Sequence, residues 1–445
     1  MQWGLVAGGL LLIVLTIILA GRTHDHRMIT LLAHNLPWAF TLMIAGSGLI
    51  HYSKLHPSAI ATILAGVGSF NLGLFLSLRF DRRVRKEFSA VRSPVISLRL
   101  YLGLWIGFVA GVGLLLWTIQ RLVGLSLLLT NPSAVRGFGG GQYLADFPLW
   151  GKFLFYLGPF IVALTANPGT VAGLERVRFP VRLALIGAAL VLEAVALQRT
   201  NIVASVSLAV AMYAYRGNLT KAMAKKIVSA GGVAGLIALL AFAGIGTALR
   251  KTVTATPSSL QYYAPAIRDT QLSEVMYYAS SGIVAFGILT QSDNRTWPPY
   301  DSRRAVGDYN PQTWGAASFP ALLKVVPVTR GWPEVEPSVL VPMRTNVYTW
   351  LSPWYRDFRL PGVLLIPLLI ALVAGAASVR VVGSDGWSMI AGVIATALLL
   401  APFANRFLST MTLELLAIGL VMVWVERRNV RRNAARAAEA DVVSE

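Results

Sequence analysis

The first twenty residues, Met1–Ala20, read MQWGLVAGGLLLIVLTIILA. They are apolar, and the first basic residues, Arg22 and Arg27, come after them rather than before. A secretory signal peptide has a basic start and a shorter apolar core. This stretch therefore reads as a retained membrane helix with its N-terminus outside. Roughly 20 apolar residues span a bilayer. Further runs of this kind fall at 31–50, 58–78, 98–118, 150–165, 181–197, 200–215, 230–248, 361–379, 387–404 and 408–425. The expected fold is an all-α polytopic membrane protein with about 11 transmembrane helices.

Composition agrees. Of 445 residues, 55% are hydrophobic and 13% charged, with a mean hydropathy of +0.62. A soluble domain could not keep a solvated exterior with so few polar residues. The net charge of +19 would suggest nucleic acid in a soluble protein. In a membrane protein it follows from basic residues gathering at cytoplasmic helix ends, and nucleic acid is not an expected partner. There is no cysteine, hence no disulfide, thiolate nucleophile or cysteine metal site.

The basic groups alternate between connections. Arg22 and Arg27 form one; Arg79 to Arg99 a second; Arg176, Arg178 and Arg182 a third; Arg216 to Lys226 a fourth. Arg380 and the tail residues Arg427, Arg428, Arg431, Arg432 and Arg436 complete the series. An outside N-terminus and a cytoplasmic C-terminus put every group inside. The chain then divides into helices over 1–249, a large, partly helical external loop over 250–358, helices over 359–426 and a basic tail over 427–445, whose last residues should be disordered. A smaller external segment, about 119–149, carries Arg136, Gly139 to Gly141 and Asp146. The large loop has too many aromatic residues for a disordered linker.

Arg199 sits between two apolar runs with almost no loop around it. A charge at that depth is costly and is functional by default, although an Arg at a hairpin tip can also snorkel. Its fork of donors suits phosphate or diphosphate oxygens. Glu193 and Glu414 also fall inside apolar runs, and both read as structural. In the large loop, Arg250, Arg268, Asp269, Asp308, Arg344, Asn346, Tyr348, Arg356 and Asp357 mix with tyrosine and tryptophan. Aromatic faces beside polar groups suit sugars; an interfacial aromatic belt is the plainer alternative. There is no HExxH, no P-loop and no Asp-x-Asp, and all five histidines precede residue 57. Neither a metal nor a cofactor is expected.

Three segments resemble the oligosaccharide repeat-unit polymerases of the Wzy (O-antigen polymerase) type. Gln198-Arg199-Thr200-Asn201 opens an apolar helix as that family's Arg-Thr does. Tyr277-Tyr278-Ala279-Ser280-Ser281-Gly282, ending in Ala285-Phe286, is similar to its Tyr-x-Ser-Gly pattern. Asn346-Val347-Tyr348-Thr349, then Tyr355-Arg356-Asp357-Phe358 and Gly362, resembles its Asn-Val-Tyr-Thr and Tyr-x-Asp-Phe-Gly. One position departs: Arg359 stands where the family has glycine. The likeness covers the C-terminal two thirds of the chain.

The resemblance implies a GT-C-like fold shared with O-antigen ligases. It implies a metal-independent, inverting glycosyltransferase in the bacterial plasma membrane. Donor and acceptor would be polyprenyl-diphosphate-linked oligosaccharides joined on the outer face, with a flippase and a chain-length regulator as companions. The residues it favours for catalysis are Arg199, Arg344, Asp308 and Asp357. Those for substrate binding are Arg250, Arg268, Tyr278, Asn346, Tyr348 and Arg356. Related ligases rely on a loop histidine, which this loop lacks. Other expectations in the same range are a ligase-like or single-sugar transferase, or a flippase of lipid-linked oligosaccharide.

Overall fold

The computed structural model describes residues 2–22, 25–78, 94–132, 135, 147–197, 199–217, 261–268, 271–291, 317–319, 339–345 and 347–444. It is a helical bundle. In chain order the helices are α1 (Trp3–Arg22), α2 (Arg27–Ser47), α3 (Pro57–Ser77), α4 (Leu98–Leu122), α5 (Leu125–Thr130), α6 (Leu149–Phe155) and α7 (Leu157–Ala166). Then come α8 (Phe179–Ala194), α9 (Arg199–Arg216), α10 (Gln271–Gln291), α11 (Leu351–Val379), α12 (Asp385–Leu400) and α13 (Thr410–Ser444). A minimal hairpin of β1 (Val339–Leu340) and β2 (Arg344–Thr345) precedes α11. Ten of the eleven apolar runs coincide with helices; the run at 230–248 lies outside the described residues. Among those residues, six helical stretches are long and apolar enough to cross a bilayer. The chain is a membrane protein by that measure.

The helices run alternately up and down, which gives the bundle two distinct ends. At one end Arg27 Nη1 donates to the Ser77 carbonyl (3.0 Å), and a His26 ring nitrogen meets the Gly217 carbonyl (2.8 Å). Arg216 pairs with Asp385 there (2.8 Å) and donates to the Asn167 carbonyl (3.2 Å). The α12 N-terminus is capped by Ser384 and by Glu426, whose Oε1 accepts from the Asp385 and Gly386 N–H groups (2.7 and 3.0 Å). Arg178, Arg380 and Arg427 belong to the same end. The opposite end holds the α1 N-terminus, the α2–α3 connection, α10, the start of α11 and the α12–α13 connection.

Two large hydrophobic clusters form most of the interior, and a small third one joins Ile44 and Ile50 to Tyr263 and Ile267. Of the two large ones, one joins α1, α2, α3, α10 and α11; the other joins α4 and α6 to α9. α12 belongs to both, with Ile390, Ile394 and Leu398 in the first and Met389 and Val393 in the second. The α3–α11 seam is closed by small residues. A β-carbon at Gly66 would lie 2.8 Å from Val363 Cγ1, one at Gly73 would strike the Leu368 carbonyl, and one at Gly375 would strike Ser77.

Two boundaries differ from expectation. α11 begins at Leu351, inside the segment assigned to the external loop. Pro353 falls in its first turn, where the missing N–H has no intrahelical partner to lose. The C-terminal residues, expected to be disordered, continue α13 to Ser444; alanines at 434, 435, 437, 438 and 440 supply high helix propensity.

Replacing Gly73 with Leu should force α3 away from α11 and cost about 1–3 kcal/mol or more, the usual range for overpacking. Thermal unfolding of the detergent-solubilised protein measures this. An unchanged midpoint would show that the seam tolerates separation.

Candidate functional site

α10 is the element that organises the polar end. Ile283, Val284, Ala285 and Phe286 are fully buried in the bundle, so this part of the large loop is docked against α2 and α3 rather than free of them. Its first turns carry the polar groups. Tyr52, from the α2–α3 connection, bonds Ser280 (2.8 Å) and stacks on Tyr277 with ring centroids 6.2 Å apart. Tyr277 donates to the Met343 carbonyl (2.6 Å). Burial pushes both phenols above their ordinary range, so they stay protonated and act as fixed hydrogen-bonding groups. Segment 261–268 adds to the same corner: His51 N–H donates to the Tyr262 carbonyl (2.8 Å) and Ala264 N–H to the Leu49 carbonyl (2.9 Å).

Gly282 then lets three segments meet. A β-carbon there would lie 2.8 Å from the Pro402 carbonyl, 3.2 Å from Val347 Cγ1 and 3.4 Å from the Tyr348 backbone. Ser281 bonds Thr345 (3.2 Å), Tyr278 stacks on Phe403 (6.5 Å), and Trp350 N–H donates to the Ala401 carbonyl (2.8 Å). α10, the segment before α11 and the α12–α13 connection are thereby held together. The α12–α13 connection also reaches α9, because Arg406 Nη2 donates to Thr200 Oγ1 (2.6 Å).

The carboxylate of Asp357 accepts two backbone N–H groups from the large loop, from Ser318 (2.7 Å) and Ala317 (3.4 Å). Ser318 Oγ donates to the Pro353 carbonyl (3.2 Å). Asp357 thus ties residues 317–318 to the first turns of α11. Arg356 lies over the Tyr348 ring (5.4 Å), and the two are only 4% and 2% exposed. In this conformation they brace 347–350 rather than face solvent. Arg268 is half-buried and donates to the Tyr263 carbonyl (3.5 Å). Arg199 opens α9 and Arg344 lies in β2, but only their backbones are described. Arg250, Asp269, Asp308 and Asn346 lie outside the described residues, as do Arg136 and Gly139 to Gly141.

Glu193 is fully buried, with both carboxyl oxygens within hydrogen-bond distance of the Ser205 hydroxyl of α9 (2.8 and 2.6 Å). Its role here is to join α8 to α9. Among the described residues no group of three histidine or carboxylate side chains converges as a metal site requires. Arg406 was not singled out by sequence. The signal was present: like Arg199, it sits between two apolar runs in a connection of a few residues.

Comparison with family models, with curated proteins and with solved structures finds no match to this chain.

Arg359 has φ 58° and ψ −148°, and it breaks α11 into a short outer helix and a long inner one. This backbone conformation is close to one that only glycine adopts without strain. The strain persists because Arg359 lies over the Tyr355 ring (5.3 Å) and Gly362 packs against the Trp354 carbonyl.

Two outcomes follow from this geometry. Arg359→Gly should relieve roughly 1–3 kcal/mol of strain, less the entropic cost of glycine at about 0.5–1 kcal/mol. It should melt at or above the wild-type temperature, whereas Arg359→Ala keeps the strain, loses the ring contact and melts lower; equal losses in both would refute the strained turn. Asp357→Ala should free residues 317–318 and speed limited proteolysis of the large loop, with the helical circular dichroism unchanged. Wild-type cleavage rates would show that the tether is not what holds the loop.

Proposed function

We propose that this protein is a glycosyltransferase that joins polyprenyl-diphosphate-linked oligosaccharides on the outer face of a bacterial plasma membrane. The observation that carries this is the meeting of three separated segments at one end of the bundle. The amino end of α9, the Tyr277–Phe286 helix and the 347–358 stretch each reach the α12–α13 connection, through Thr200–Arg406, Gly282–Pro402 and Trp350–Ala401, and they are the segments that resemble repeat-unit polymerases. The glycine-like backbone at Arg359 supports the same likeness. The concentration of arginines at the other end supports an outside N-terminus and a cytoplasmic C-terminus. Eleven spans, counting the run at 230–248, complete this topology.

In this mechanism an acceptor hydroxyl oxygen attacks the anomeric carbon of the donor sugar. The bond from that carbon to the diphosphate oxygen breaks, and its electron pair leaves with the polyprenyl diphosphate. A single displacement inverts the configuration. Arg199 neutralises the leaving charge, with Arg344 and Arg250 beside it. The hydroxyl proton passes to a carboxylate of the large loop. The candidate bases are Asp357, Asp308 and Asp269; Asp357 is engaged by backbone N–H groups and also positions that loop. Arg268, Tyr278 and Asn346 address the sugars, and Tyr348 and Arg356 brace the segment that presents them.

A second function draws on a different observation. Thr16, His34, Asn35 and Asn71 form a buried hydrogen-bonded group inside the bundle, where transporters place polar residues. Flipping of lipid-linked oligosaccharide is therefore the rival.

The deciding experiment incubates purified protein with a polyprenyl-diphosphate oligosaccharide in the presence of EDTA and separates the products on a gel. A ladder with repeat-unit spacing is expected. Arg199→Ala should abolish it with folding intact, and Arg199→Lys should restore little, because an ammonium cannot present the same fork. Intact substrate together with its transfer across liposomes would favour flipping instead.

A further inference from the structure

Arg406 occupies the short connection between α12 and α13, at the polar end of the bundle. The one hydrogen bond of its side chain to a described residue is to Thr200 Oγ1 (2.6 Å). Its Nε is buried and has no acceptor among the described residues. The ion pairs among those residues are Arg27–Asp25 and Arg216–Asp385, so Arg406 has no carboxylate partner there. Glu414, eight residues further on, leaves Oε2 buried and unpartnered and makes no ion pair with it.

Asn201, on the same first turn of α9 as Thr200, is 2% exposed, and its Nδ2 also lacks an acceptor. The backbone N–H groups of that turn add further donors and the positive end of the helix dipole. Among the described residues, this corner therefore holds a fixed positive charge and several donors with few acceptors to match them. A partly buried guanidinium without a counter-charge destabilises the empty protein. A ligand that brings several anionic oxygens supplies what is missing. The corner lies at the ends of apolar helices α9, α12 and α13, and the ends of membrane spans are where lipid phosphate groups are met.

We propose that Arg406, with Thr200, Asn201 and the amino end of α9, binds the phosphate oxygens of a membrane lipid. The lipid is assigned as a polyprenyl diphosphate rather than an ordinary phospholipid. That assignment rests on the transfer function proposed above; the phosphate site itself does not.

The test measures binding to the full-length protein in neutral phosphatidylcholine nanodiscs. Three probes are compared: a polyprenyl diphosphate, the corresponding monophosphate and phosphatidylglycerol. Arg406→Gln should weaken diphosphate binding about 10- to 100-fold, the range for losing charge-assisted hydrogen bonds. Arg406→Lys should recover only part of it. Thr200→Val, which removes the Arg406 hydrogen bond and keeps the charge, should weaken binding far less. Without ligand, Arg406→Gln should melt at or above the wild-type temperature, because an uncompensated charge is gone. Lower melting in both Arg406→Gln and Thr200→Val, with diphosphate affinity unchanged, would make Arg406 a structural brace and overturn the proposal. An equal loss of phosphatidylglycerol binding would support the phosphate site and overturn its assignment to the diphosphate. The polymer assay separates the two hypotheses. Wild-type protein that binds the diphosphate through Arg406 and forms no ladder retains this site and loses the transfer function. Wild-type protein that forms the ladder, with Arg406→Gln binding normally, loses this site alone.

Discussion

Lipid tails are as apolar as leucine, so helices in a bilayer gain little by burying apolar side chains against one another. They are held by close backbone approach and by buried hydrogen bonds. The α3–α11 seam shows the first of these, with Gly66, Gly73 and Gly375 admitting the facing helix. Ser69 Oγ also donates to the Leu364 carbonyl across it. The rest of the polar end depends on this seam. Once the inner part of α11 is fixed, the turn at Arg359 fixes the outer part, and with it Arg356 and Asp357. Gly282 repeats the device where α10 meets Val347 and Pro402. Positions at this end are thus inherited from helix contacts deeper in the bundle.

The two ends treat charge differently. At the basic end, carboxylates act as locks. Asp385 holds Arg216 across α9 and α12, Asp25 holds Arg27, and Glu426 closes the N-terminus of α12. At the polar end the described carboxylates are used otherwise. Glu193 is satisfied by Ser205, and Asp357 accepts backbone N–H groups. Arg406 and Arg268 form no ion pair among the described residues. Among the described residues the polar end therefore keeps its arginines and carboxylates apart, where the basic end pairs them.

Much of the bundle was legible in the sequence, because a span needs a long apolar run and few soluble elements imitate one. The ends of helices were less legible. Leu351–Phe358 mixes Trp354, Tyr355, Arg356 and Asp357, which resembles an interfacial loop by composition, yet it is helical because α10 and residues 317–318 pack around it. α10 falls in the loop expected to be partly helical, but its depth was not legible, since burial of Ile283 to Phe286 is set by partners distant in sequence. Among the site residues, Arg199 was visible as a charge between apolar runs. Arg406 meets the same criterion, but nothing near it in sequence names a partner. Its contact, Thr200, is 206 residues away.

Trp350 shows how the bundle interior and the polar end are coupled. Its backbone N–H is taken by the Ala401 carbonyl, and its ring packs on Phe407 (5.0 Å), Phe70 (6.1 Å) and His34 (5.9 Å). His34 in turn stacks on Phe70 (3.9 Å) and bonds Asn35 (2.7 Å), which donates to Thr16 and Asn71 (both 2.8 Å). Three helices, α1, α2 and α3, are registered to one another by that polar group. Asn35, Thr16 and Asn71 satisfy one another, and His34 joins them through Nδ1 while its buried Nε2 has no partner among the described residues; satisfied buried polar groups in a bilayer admit few alternative arrangements. One aromatic ring therefore rests on a floor that cannot easily slide, and it carries on its two sides the segment leading to Arg356 and the connection bearing Arg406. Groups that must meet one ligand from different parts of the chain are held to a common frame in this way, as a preorganised site requires.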